Sequence, residues 1–105
     1  MKKFFFILLF VFCASFWAHC IEIRGRVVDT TGEPVIGATV REKTGESSYG
    51  PGGAVTDMDG RFTIVISVGS KLEVSYIGMG TVTVGPFNMS DTIPDIVLWP
   101  EDPIL

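Results

Sequence analysis

From Phe62 to Ser67 apolar and polar residues alternate, with Phe62, Ile64 and Ile66 on one face, Thr63 and Ser67 on the other, and Val65 the exception. A repeat of two is that of an extended strand with one buried face. The stretch TDMDGRF (Thr56 to Phe62) supplies a turn before it. Asp57 and Asp59 can bond nearby backbone N–H groups, and Gly60 takes positive φ without steric cost. Turn and strand together predict a hairpin. The same alternation recurs along the chain. Ile21, Ile23 and Val27 oppose Glu22, Arg24 and Arg26 in a first strand, and the turn-rich run Thr30 to Pro34 follows. Val35 to Glu42 predicts a second strand with Ile36, Ala38 and Val40 inward, Gly37 marking a bulge or a close backbone contact. The run KTGESSYGPGG, residues 43–53, has four glycines, a proline and no hydropathy period, which predicts a flexible surface loop with Tyr49 as its one large side chain. Lys71 to Ile77 puts Leu72, Val74 and Tyr76 on one face; Val82 and Val84 resume after Gly78-Met79-Gly80, and Asp95 to Trp99 forms a last strand before Pro100. Beyond residue 20 no amphipathic helical repeat occurs. Seven short strands at spacings of roughly 8 to 12 residues predict an all-β, antiparallel sandwich.

The first twenty residues do not belong to that pattern. Met1-Lys2-Lys3 is a basic start, and Phe4 to Trp17 is apolar apart from Ser15, which reads as a secretory signal peptide over residues 1–20. The run falls short of the roughly 20 residues that span a bilayer, so no transmembrane segment is expected once the signal is removed. Cleavage after Ala18 or after Cys20 leaves a periplasmic domain, whereas lipidation of Cys20 anchors it to the outer membrane or the cell surface. The sandwich is expected over residues 21–100, with 101–105 as a tail. Without residues 1–20, Lys+Arg falls from 8 to 6 against 12 Asp+Glu, a net charge of −6. That acidity argues against nucleic acid or anionic lipid as partner. Cys13, Cys20 and the single histidine, His19, all lie in or beside the signal, so no internal disulfide is expected.

The candidate chemistry is sparse. Asp57 and Asp59 suggest a calcium loop, but calcium takes six to eight oxygens and Arg61 and Phe62 follow at once, so a capped turn is the expected role and no metal or other cofactor is predicted. A zinc hydrolase site needs paired histidines, which this chain does not offer, and an enzyme is not expected. Arg24 and Arg26 read as a solvated strand face, with a carboxylate or glycan clamp as the sharper alternative. Trp99 and Tyr49 read as packing on the sandwich, with ligand or partner contact as their alternative. Open sheet edges offer another route, since unpaired N–H and C=O groups accept a strand from a partner.

The segments GRVVDTTGEPVIGATV, AVTDMDGRFTI, LEVSYIG and DIVL, in that order, resemble the carboxypeptidase-regulatory-like domain, a seven-stranded, transthyretin-like sandwich. The nearest branch is the copy that precedes the plug and barrel of starch-utilisation-type TonB-dependent transporters of Gram-negative bacteria. The run over residues 43–53 is longer than the family's short connection, and Met79-Gly80 stands where the family has an aromatic and a polar residue. The chain stops at Leu105, where transporters continue. The resemblance therefore implies the sandwich fold and a non-catalytic, exported interaction module, with a TonB-dependent transporter or an associated lipoprotein as partner in the envelope. A secreted or lipid-anchored binding domain using the 43–53 run, or a remnant of a truncated transporter gene, are its alternatives.

Overall fold

The computed structural model describes residues 20–101. The expected leader lies outside them save for Cys20, as does the tail save for Glu101. The strands are β1 Cys20–Asp29, β2 Thr39–Lys43, β3 Tyr49–Val55, β4 Arg61–Ser67, β5 Lys71–Ser75, β6 Val82–Val84, β7 Asp91–Thr92 and β8 Ile96–Leu98. They form two sheets. In one, β1 pairs with β4 on one side and with β7 and β8 in succession on the other; in the second the order is β3-β2-β5-β6. The predicted sandwich is thus present, with eight strands and with parallel pairings of β1 to β7 and to β8. Residues 85–95 hold too few apolar positions to announce β7, and they return the chain to β1 in the same direction.

The core follows the alternation where strands are regular. β4 buries Phe62, Ile64 and Ile66, and β1 buries Ile21, Ile23 and Val27; facing them are Val40, Leu72 and Val74 of the second sheet. Gly25 sits among these inward positions of β1 because a Cβ there would lie 2.7 Å from the Phe62 ring. A side chain in that place would displace the phenylalanine.

Four expectations are corrected. The 43–53 run is mostly strand: Tyr49–Val55 pairs with β2. Its period of two is one of size rather than hydropathy, since Gly50, Gly52 and Ala54 are the positions turned inward. Ile36 is 53% exposed and Val35 is buried in its stead, because Gly37 turns at φ +83° and shifts the phase before β2 begins. Tyr76 is likewise turned outward, since β5 ends at Ser75. Finally, the Asp57–Gly60 turn does not close a hairpin. β3 and β4 belong to different sheets, and the turn carries the chain between them. Thr56 anchors that passage: its buried hydroxyl donates to Val35 O at 2.6 Å and accepts from Ala38 N at 2.8 Å.

Candidate functional site

Most of the side chains singled out in the sequence are engaged within the domain. Tyr49, at the start of β3, lies on the outer face of β2 and β5: its hydroxyl donates to Glu73 Oε2 at 2.9 Å, and the Arg41 guanidinium sits 3.7 Å from its ring centroid. The hydrogen bond to Glu73 holds the phenol above its ordinary pKa. Arg24 contacts the Glu22 carboxylate at 2.8 Å, while Arg26 donates to Asp59 O at 3.2 Å and lies 3.7 Å from Asp95. Asp57 Oδ1 accepts from the backbone N–H of Arg61 and of Asp59, both at 2.9 Å, and the first of these does most to depress its pKa. The fold brings Arg24, Arg26 and Asp57 to one shallow groove of about 610 Å³, together with Arg61 and Asp95. Tyr49 and Trp99 lie elsewhere. Among the described residues no cluster of three or more His, Cys, Asp or Glu is placed to hold a metal ion.

Trp99 stands in a different setting. Just past β8, the segment Trp99–Glu101 pairs antiparallel with Gly78–Gly80: Gly80 N donates to Trp99 O and Glu101 N to Gly78 O, both at 3.0 Å. The indole lies over Gly80, where a Cβ would come within 3.2 Å of its Nε1. On the other side, Met79 N donates to Tyr76 O across a turn whose third residue, Gly78, has φ +80°. That turn holds Ile77 at its tip, 89% exposed, a position where polar residues usually stand. Tyr76 precedes it, Trp99, 52% exposed, lies across Gly80 on the far arm of the turn, and the Tyr76 ring lies beside Gly37, next to the outward Ile36. Aromatic and branched apolar side chains on a hydrogen-bonded frame have the composition of an interface centre. The segments 35–38, 76–80 and 97–101 carry a single charge, Glu101. The signal in the sequence is an isoleucine inside the turn sequence Tyr76-Ile77-Gly78, which the alternation that places Tyr76 inward passes over.

Glu42 was missed altogether. It is 1% exposed, at the end of the inward series Ala38, Val40, Glu42. Its Oε1 accepts from Gly52 N at 3.0 Å, and its Oε2 from Ser67 N and Ser70 Oγ, each at 2.9 Å. Burial raises the carboxyl pKa, but these donors outweigh it and leave the pKa lowered. Gly50 and Gly52 make the room, since a Cβ on either would lie within 3 Å of the carboxylate. The arrangement is a polar seal joining the two sheets along their β3/β4 side. A carboxylate at an inward strand position, facing two glycines, is the pattern that would have revealed it.

Known proteins agree with this architecture. The carboxypeptidase regulatory-like domain model matches residues 22–96. The TonB-dependent receptor SusC of Bacteroides thetaiotaomicron is 45% identical over 62 residues, 59% of this chain and 6% of the receptor, so the chain corresponds to a small part of that protein. Among solved structures, a chain of a type II cohesin–X-dockerin complex from Acetivibrio cellulolyticus aligns with TM-score 0.59 at 16% identity, over 76% of this chain and 58% of that one. Chlorocatechol 1,2-dioxygenase from Pseudomonas putida aligns with TM-score 0.58 at 14% identity, over 76% and 60%. At such identities these two share the fold alone. The match over residues 22–96 covers well over half of the sequence, and the chain belongs to the carboxypeptidase regulatory-like domain family.

Proposed function

We propose that this protein is a non-catalytic, exported interaction module of the Gram-negative cell envelope, and that it docks a protein partner through its apolar end. The observation that carries the reading is Ile77, almost fully exposed at the tip of a turn that Met79 N closes on Tyr76 O and that Glu101 N and Trp99 O tie to the segment after β8. Holding such side chains in water forgoes about 1.5–3 kcal/mol of burial each, which a partner recovers. The acidic chain is repelled by anionic lipid, which favours a protein over a membrane as the docked surface. A partner patch that is apolar at its centre and bordered by Lys or Arg complements Glu101 and the net acidity. The likeness to SusC supports a TonB-dependent transporter, or a lipoprotein associated with one, as that partner.

The test is crosslinking in the native host, with a photoreactive benzoylphenylalanine in place of Ile77. Capture of a TonB-dependent transporter or its lipoprotein is the expected result. Failure to capture any envelope protein, with the domain folded and exported, refutes the reading and favours a binding domain anchored through Cys20 or a gene remnant without a partner.

A further inference from the structure

The two long sides of the sandwich are closed differently. On the β3/β4 side Glu42 ties the sheets together. On the opposite side the two chains that could close the sandwich begin as a pair and then part. Gly78–Gly80 and Trp99–Glu101 are hydrogen-bonded antiparallel, with Met79 and Pro100 bridged. From there β6 runs on into the second sheet and β8 lies in the first. Among the described residues β6 pairs only with β5 and β8 only with β1, so each keeps a free edge. Between the two edges lies a mostly apolar cleft of about 370 Å³ lined by Val82, Val84, Phe87, Ile93, Ile96 and Val97, with Gly85, Pro94 and one charged residue, Asp95, completing it. Val82, Val84, Phe87 and Ile93 are only partly covered there, although they pack against the core.

Natural sheets usually protect free edges with lysines, prolines or bulges. The other outer pair shows such protection, with Pro51 and three glycines in β3 and Arg61 in β4. β6 and β8, VTV and IVL, contain no charge and no proline.

We infer that this cleft receives one extended segment of the docked partner as an inserted strand. The inference rests on the docking reading above and assigns the shape of what is bound. Two unpaired backbone edges require N–H and C=O groups spaced along an extended chain, which a helix or a rigid globular surface does not supply. The bridge between Met79 and Pro100 shows that β6 and β8 run in opposite directions, so an inserted strand is parallel to one and antiparallel to the other. Each edge is three residues long, matching roughly 10 Å of extended chain at ~3.3 Å per residue. Alternate residues of that segment are apolar and face the half-covered valines and Phe87; their neighbours point to solvent. β8 runs directly into Trp99, so an inserted segment lies next to the docked end along the chain.

Two further photocrosslinking positions test this in the native host, one replacing Thr83 of β6 and one replacing Val97 of β8, both exposed. The expected result is that both label the same partner segment at sites within about three residues of each other. In addition, Val97→Lys, which places a charge beside the apolar cleft, lowers the yield from position 83 at least about tenfold while its circular dichroism spectrum stays that of the wild type. If position 77 captures a partner but positions 83 and 97 label distant segments or nothing, docking stands and the inserted strand is overturned. Capture of a second copy of this chain at position 83 also overturns it, in favour of edge pairing between copies. Loss of capture at all three positions removes both readings.

Discussion

Replacing Glu42 tests how the sandwich is held shut. The carboxylate accepts two backbone N–H groups, from Gly52 and Ser67, and one hydroxyl, from Ser70. In Glu42→Leu the hydroxyl can turn to another acceptor but the two half-buried amides cannot, and an orphaned amide costs about 1–3 kcal/mol, toward the lower end where burial is partial. The loss is thus roughly 2–6 kcal/mol before the carboxylate's own desolvation is relieved, and about 3 kcal/mol is expected after that relief. Glu42→Gln keeps one oxygen but sets an NH2 group against one of the donors, for an expected loss of about 2 kcal/mol. Against a total stability of about 5–15 kcal/mol both are large effects. Urea denaturation of the purified variants measures them. The dependence on pH has a definite sign: the folded carboxyl titrates below its ordinary 4.5, so its contribution is complete above that value and is lost as pH falls through the lower, folded one. The gap between wild type and Glu42→Gln therefore holds from neutral pH to about pH 5 and narrows in stronger acid. A Glu42→Gln loss under about 0.5 kcal/mol, or a gap that widens in acid, refutes the reasoning.

Gly60→Ala combines a φ of +75° with a Cβ that would meet Val27 O at 2.5 Å, so a loss of at least about 2 kcal/mol is expected on thermal or urea unfolding. Ile77→Asp is expected to leave stability within about 0.5 kcal/mol of wild type while abolishing partner capture; a variant that still captures places docking elsewhere. Asp57→Ala removes the acceptor for two turn amides and lowers the melting temperature, with the wild-type advantage disappearing as acid protonates Asp57. Because those amides already occupy Oδ1, millimolar calcium is expected to leave the melting temperature unchanged, and an upward shift would establish a calcium site at Asp57 and Asp59 instead.

The regular strands were legible because each buries one face. Ile21, Ile23 and Val27, or Phe62, Ile64 and Ile66, alternate in hydropathy and lie where that pattern puts them. What hydropathy could not show was alternation carried by size. Gly50, Gly52 and Ala54 point inward as regularly as any valine, but the two glycines are there to admit the Glu42 carboxylate, so hydropathy reads the strand as a loop. Ile36 and Tyr76 failed for a related reason: one residue of turn, at Gly37 or after Ser75, reverses the phase of everything beside it. The candidate site lay in that blind spot. Alternation from Leu72 places Tyr76 inward; on the surface it instead adjoins Ile77, which at 89% is the most exposed large apolar side chain among the described residues.

The parallel pairing of β1 with β8 has a mechanical consequence. Cys20 begins β1 opposite Ser67, and β1 runs some 23 Å, at ~3.3 Å per residue, before Val27, Val28 and Asp29 meet Ile96, Val97 and Leu98. The described chain therefore starts at one end of the domain and leaves at the other, through Trp99. Tension applied between Cys20 and Glu101 draws β1 and β8 past each other along their length. Their hydrogen bonds are loaded together, in shear, rather than peeled open one at a time. In series with other chain, such a domain transmits pull as a stiff link, and it yields only when the β1–β8 ladder gives way as a unit.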